Sequence, residues 1–216
     1  MPSREDRLES PYFNNVLHFI AQDERYNREM TLAKEEFEAI VGPIYETDRS
    51  YDARINSFHN WYILDRPLRS HGVTPLNYFI DYNANTLPEQ ELTHYRELRN
   101  NLHSVFELAK FLPERARLRD LVTGRKYDIE GTEHTQFLDR GALFNSRIFR
   151  HGKQHYLSNY LLLHPLVVTK MIRIEARKLK KSKADPKDFL FRLVLFQGRF
   201  DQYKQMEPRN IYRFQG

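Results

Sequence analysis

The chain has 216 residues, 40% of them hydrophobic and 13% aromatic, which fits one globular domain or two small ones rather than a disordered chain. It contains no cysteine, so disulfides, thiolate zinc sites and cysteine nucleophiles are excluded, and a reducing compartment such as the cytoplasm is the expected location. Net charge is +5 but uneven: residues 161–216 hold 13 Lys+Arg against 5 Asp+Glu, a net of +8, and residues 1–160 hold 21 against 24, a net of −3.

Met1 to Glu9 is charged and lacks an apolar core, so no secretory signal is expected there. No run approaches the roughly 18 apolar residues of a membrane span. Helical patterns then follow one another. Ser10 and Pro11 suit a helix start, and Phe13, Val16, Leu17 and Ile20 form a stripe within residues 11–26. A second pattern runs from Glu29 to Val41 and stops at Gly42-Pro43. Tyr51, Ile55, Phe58 and Tyr62 recur at intervals of 4, 3 and 4, the strongest amphipathic signal of the N-terminal half, with Trp61 alongside. Thr74-Pro75 opens a short helix. Pro88 opens another, with Leu92, Tyr95, Leu98 and Leu102 on one face.

Residues 104–158 change period. Five short runs are separated by Pro113, Gly124, Gly131 or Gly141, and Gly152. Lys126-Tyr127-Asp128-Ile129-Glu130 alternates strictly, which puts Tyr127 and Ile129 inward. Ala142 to Arg150 carries Phe144 and Ile148 on one face and Leu143 and Phe149 on the other. His151-Gly152-Lys153 is a hairpin turn leading into Gln154 to Ser158. Strands at this spacing predict a small antiparallel barrel, SH3-like or OB-like. Beyond it, Val168, Ile172, Ala176 and Leu179 trace one side of a helix. After Asp185-Pro186, Phe189, Leu193, Phe196, Phe200 and Tyr203 trace a second. The expected organisation is α+β: helical residues 1–103, a five-stranded barrel over 104–160, and a basic helical pair over 161–216.

Four quoted stretches carry a family resemblance: Phe58-His59-Asn60-Trp61-Tyr62-Ile63-Leu64-Asp65, Gly72-Val73-Thr74-Pro75-Leu76, Ser104-Val105-Phe106-Glu107-Leu108, and Leu118-Arg119-Asp120-Leu121-Val122-Thr123-Gly124-Arg125-Lys126-Tyr127. Their order, over residues 50–160, resembles uncharacterised bacterial proteins associated with SEC-C type motifs. The cysteine-rich zinc motif of those proteins is absent here. The resemblance implies helices leading into a barrel in a bacterial cytoplasmic protein, and it carries over no functional residue.

Chemistry-bearing patterns are few. Arg115, Arg117 and Arg119 on a strand could fork around phosphates. Their spacing resembles the arginine motif of PilZ cyclic-dinucleotide receptors, but Asp120 to Gly124 does not match the second motif of that family. Charge protecting an exposed strand edge is the plainer account. Lys170, Arg173, Arg177, Lys178, Lys180, Lys181 and Lys183 could track a polyanion or an acidic partner, or be a solvated face. Tyr127, Phe144, Phe149 and Tyr156 could stack on bases, though such spacing is usual for a core. Asp128, Glu130, Glu133 and His134 could make an acid/base group. The nine histidines show no zincin spacing, so no metal, cofactor or catalytic residue is expected. Three functions compete: a non-catalytic adaptor binding another protein, a nucleic-acid-binding protein, and a cyclic-dinucleotide sensor.

Overall fold

The computed structural model describes residues 10–130, 135–158 and 160–214. It is a mixed α+β structure in which helices come first, strands follow and helices return. The first layer comprises α1 (Ser10–Ala21), α2 (Glu24–Val41), α3 (Tyr51–Leu64), α4 (Pro75–Tyr82) and α5 (Glu89–Glu97). The helix break falls at Gln22-Asp23, several residues before the position the apolar stripes predict, because α2 extends a full turn ahead of Glu29. Thr74 caps α4 as expected, its hydroxyl oxygen accepting from Asn77 N at 3.4 Å.

Helix α3 departs from its predicted amphipathic form. Phe58 and Tyr62 of the stripe are buried, but so are Arg54, Ser57, Asn60 and Ile63 on other faces. It is a central helix. Trp61 is buried beside Phe37 and Phe58, with ring centroids 5.3 and 6.4 Å away. Ion pairs brace this layer. Arg66 donates to Glu29 at 3.0 Å and to Glu36 at 2.8 Å.

Leu102 does not continue α5. It lies in β1 (Asn101–Leu112), which starts three residues before the expected strand region. β2 (Arg115–Asp120), β3 (Lys126–Glu130), β4 (Leu143–His151) and β5 (Gln154–Leu157) follow, and then a two-residue β6 (Leu162–Leu163). β1 pairs with both β2 and β4, β2 with β3, and β4 with β5, all antiparallel. The circuit closes through β3 and β5, which run parallel, with Ile129 opposite His155. The five strands therefore form a ring, and its closure is parallel rather than antiparallel. β6 lies outside the predicted strand region and attaches to β4.

Alternation sorts the side chains. Phe106, Leu108, Ala116, Leu118, Ile129, Phe144 and Ile148 fill the ring. Asp120 also points inward and is fully buried, accepting from Ser104 Oγ at 2.5 Å and Val122 N at 2.9 Å. The opposite face of β4 serves two other cores. Phe149 joins the helices of the first layer, and Leu143 joins the C-terminal helices. β4 is buried along nearly its whole length for that reason.

The C-terminal part is α6 (Thr169–Ser182), α7 (Lys187–Gln202) and a short α8 (Pro208–Ile211). It is three helices rather than the expected pair. α7 is wedged between cores. Phe191 and Val194 face the first layer, while Leu190, Leu193 and Phe196 face β1, β4 and α6. Tyr203, placed on the predicted stripe, is exposed. Among the described residues no helix is long and apolar enough to cross a membrane.

Candidate functional site: an apolar cleft between α7 and β6

A concavity with a volume of about 540 Å³ is built from several elements of the fold. Four distant chain segments form it: Arg49 to Ala53 at the start of α3, Phe137 to Ala142 before β4, Leu161 to Leu166 around β6, and Gln197 to Asp201 on α7. Its rim exposes large apolar side chains, with Phe137 at 70%, Leu166 at 62% and Leu163 at 40% of full accessibility. Such side chains standing together around a concavity are the usual mark of a binding surface.

One wall is a buried polar chain. Asn145 Nδ2 donates to Leu190 C=O at 3.1 Å, so Asn145 Oδ1 is free to accept from His164 Nε2–H at 3.0 Å. Burial holds the His164 ring neutral, with its pKa pushed down to about 3. Nδ1 is then an acceptor for the Tyr212 hydroxyl, also at 3.0 Å. That hydroxyl carries one proton and faces a second acceptor, Gln197 Oε1 at 3.0 Å, so the two bonds share it. Burial raises the Tyr212 pKa, which keeps the phenol protonated. Both imidazole nitrogens are committed, and the ring joins β4, β6 and α8 rather than presenting a base to the cleft.

One turn further along α7, Asp201 ties the lining to the start of α3, accepting from Ser50 N at 2.9 Å and from the Ser50 hydroxyl. Asp201, Asp52 and Asp139 give the lining three carboxylates against one guanidinium, Arg49. β6 stands at the end of the sheet order, so its outer edge pairs with no strand among the described residues. The site thus combines apolar anchoring surface, a negative lining and a terminal strand of the sheet.

The strand arginines lie elsewhere and are already occupied. Arg115 pairs with Glu130 at 2.9 Å, and Arg117 grips Asp128 bidentately at 2.6 and 2.7 Å. Arg119 pairs with Glu107, whose other oxygen accepts from Arg173 at 3.1 Å. Register sets these partners directly opposite one another. Arg117 holds the Asp128 carboxyl below the usual carboxylate range. β2 pairs on both sides, so it is not the exposed strand edge protected by charge that is the plainer expectation for these arginines. Of the acid/base grouping, Asp128 and Glu130 serve the arginines, and Glu133 and His134 lie outside the described residues.

The basic helix is the more open cationic surface. Lys170, Arg177, Lys178, Lys180, Lys181 and Lys183 are exposed, whereas Arg173 is half-buried and also donates to Gly141 C=O. Lys178 meets Glu175 at 2.7 Å. The cations crowd the C-terminal end of α6, where they complement the helix dipole. Of the four aromatic candidates, Phe144 and Phe149 are buried in cores, and Tyr127 and Tyr156 are half-buried.

Compared with family models, curated proteins and solved structures, the chain matches none. The reading of the cleft therefore rests on its own geometry. No single stretch of sequence marks it, since each of its four segments contributes only three to five residues and no motif.

Proposed function

We propose that the protein is a non-catalytic adaptor that binds another protein, and that the occupant of the cleft is an extended segment carrying an apolar anchor and a flanking basic residue. The observation that carries this reading is the exposed Phe137, Leu163 and Leu166 around one concavity. The three-to-one excess of carboxylates in the lining favours a basic flank on the incoming segment. The unpaired edge of β6 offers main-chain hydrogen bonds in the manner of strand addition. Neutral, doubly bonded His164 supports a binding wall over a catalytic one.

The ring of strands is read as a small SH3-like or OB-like barrel. Its five strands and circular pairing support this. The partial resemblance of residues 50–160 to uncharacterised bacterial proteins favours a bacterial, cytoplasmic setting. Selection of a random peptide library on the full chain tests the proposal. Enriched peptides should share one apolar anchor beside Lys or Arg, and a Leu166→Asp variant should fail to enrich them.

A second reading has one observation in its favour, the open cationic end of α6. A polyanion, nucleic acid included, would be held there by charge alone, with steep salt dependence and little sequence preference.

A further inference from the structure

Where α5 meets the β4–β5 hairpin, two histidines and a glutamate converge. His94 and Glu97 sit three residues apart in the last turns of α5, the spacing that puts two side chains on one helix face. His151 is the last residue of β4, opposite Gln154 across the turn at Gly152, whose φ of +57° favours glycine. Each element is fixed by something else: α5 by buried Leu92 and Tyr95, and β4 by its ladder to β1. The convergence therefore does not depend on the three residues themselves.

We propose that His94, Glu97 and His151 bind a divalent transition-metal ion of the zinc class. One donor atom from each residue lies within 4.8 Å of the other two. Donors sharing an ion at about 2.0–2.2 Å stand no more than roughly 4.4 Å apart, so side-chain adjustment of well under an ångström to about one ångström closes the set. The rings are already ordered. His94 stacks on Tyr12, at 5.5 Å, and on His151, at 5.3 Å with an interplanar angle of 22°. Glu97 Oε2 is buried and meets His151 Nδ1 as an ion pair, so the carboxylate already faces the imidazole. All three residues are half-buried, sheltered yet reachable.

Two imidazoles and one carboxylate suit Zn²⁺, Co²⁺ or Ni²⁺ and do not suit Mg²⁺ or Ca²⁺, which require oxygen donors. Three protein ligands leave a coordination position for water. The ion would join the helical first layer to the strand ring beside the His94–His151 stack and the Glu97–His151 contact.

The test uses full-length chain without a histidine tag, stripped with chelator and titrated with Zn²⁺ by calorimetry. One Zn²⁺ per chain should bind in the micromolar range or tighter, with no heat from Mg²⁺. His94→Ala, Glu97→Gln and His151→Ala should each weaken binding at least about tenfold, and His155→Ala should not. Should a variant fail to fold by circular dichroism, Co²⁺ in the unaltered protein decides. A visible absorption band that Zn²⁺ abolishes supports the site, and absence of the band overturns it. Absence of saturable Zn²⁺ binding would also overturn it and leave His151 and Glu97 as an ion pair only. Unchanged affinity in the three variants would overturn it as well.

Discussion

The guanidinium of Arg54 lies against the backbone of Gly198. A Cβ at position 198 would stand 2.6–2.8 Å from three of its atoms. The same fully buried group donates to the carbonyls of Val41, Gly42 and Pro43 at 2.9, 3.0 and 2.8 Å, and pairs with Asp48 at 3.1 Å. The Val41 carbonyl ends α2 and the other two follow it directly, and helix termini need such partners. One arginine of α3 thus closes α2, and α7 crosses it only because residue 198 has no side chain. Four residues before Gly198, α7 packs Val194 into the first-layer core, and three residues after it, it presents Asp201 to the cleft.

Gly198→Ala should therefore lower stability by about 1–3 kcal/mol, the usual cost of overpacking, although alanine is the better helix former. Arg54→Met should cost more, about 3–5 kcal/mol, because it leaves Asp48 and three carbonyls without their donor. Urea denaturation of both variants checks this. Wild-type stability in Gly198→Ala would contradict the close approach.

His164 makes stability depend on acid. Its native pKa is depressed from 6.5 to about 3, so between those values the unfolded chain binds a proton that the native chain does not. Stability should be intact above about pH 6.5 and fall below it by about 1.4 kcal/mol per pH unit from this group. His103, buried near Arg147, and His59 are depressed in the same direction and add to the fall. Urea midpoints measured from about pH 7 to about pH 4.5 should drop less steeply in His164→Gln, even though that variant starts less stable. An unchanged slope would show that the ring is protonated in the native state.

The two sets of cations should behave differently. Lys178, Lys180 and Lys181 are exposed, so changing all three to glutamate should weaken retention on heparin. The fold should survive, at a cost of about 0.3–1 kcal/mol per reversed charge at the helix end. Arg117→Gln should leave retention nearly unchanged, because Asp128 already neutralises that guanidinium. Heparin elution in a salt gradient, with thermal melts alongside, measures both. Strong loss of retention in Arg117→Gln would contradict the pairing.

Local signals in the chain were informative where one face decides the outcome. Strict alternation in Lys126 to Glu130 marked a strand, and Thr74-Pro75 marked the start of α4. The two-faced pattern of β4 correctly separated Leu143 and Phe149 from Phe144 and Ile148, but not the two cores that the first pair enters. Buried charge was not legible. Arg54, Arg66 and Arg147 read as surface residues until partners from distant segments surround them; Arg147, for example, meets Asp65 across 82 positions. Arginine spacing drew attention instead to Arg115, Arg117 and Arg119, whose cross-strand acids became visible only with the register. His94 and Glu97 carry ligand spacing, but their third partner is 57 and 54 residues onward and reaches them only through the turn of the chain from α5 into the ring.

The central claim is that the apolar rim captures an extended segment with a basic flank. Its most direct measurement is the affinity of a library-selected peptide for the unaltered protein, for Leu166→Asp and for Phe137→Ala, with fold checked by circular dichroism. Removing a buried apolar anchor contact should weaken binding by about 1–3 kcal/mol, roughly 5- to 150-fold, in each variant, and replacing the peptide's basic residue should weaken it further in proportion to low salt. Equal affinity across the three proteins would place binding elsewhere and contradict the account.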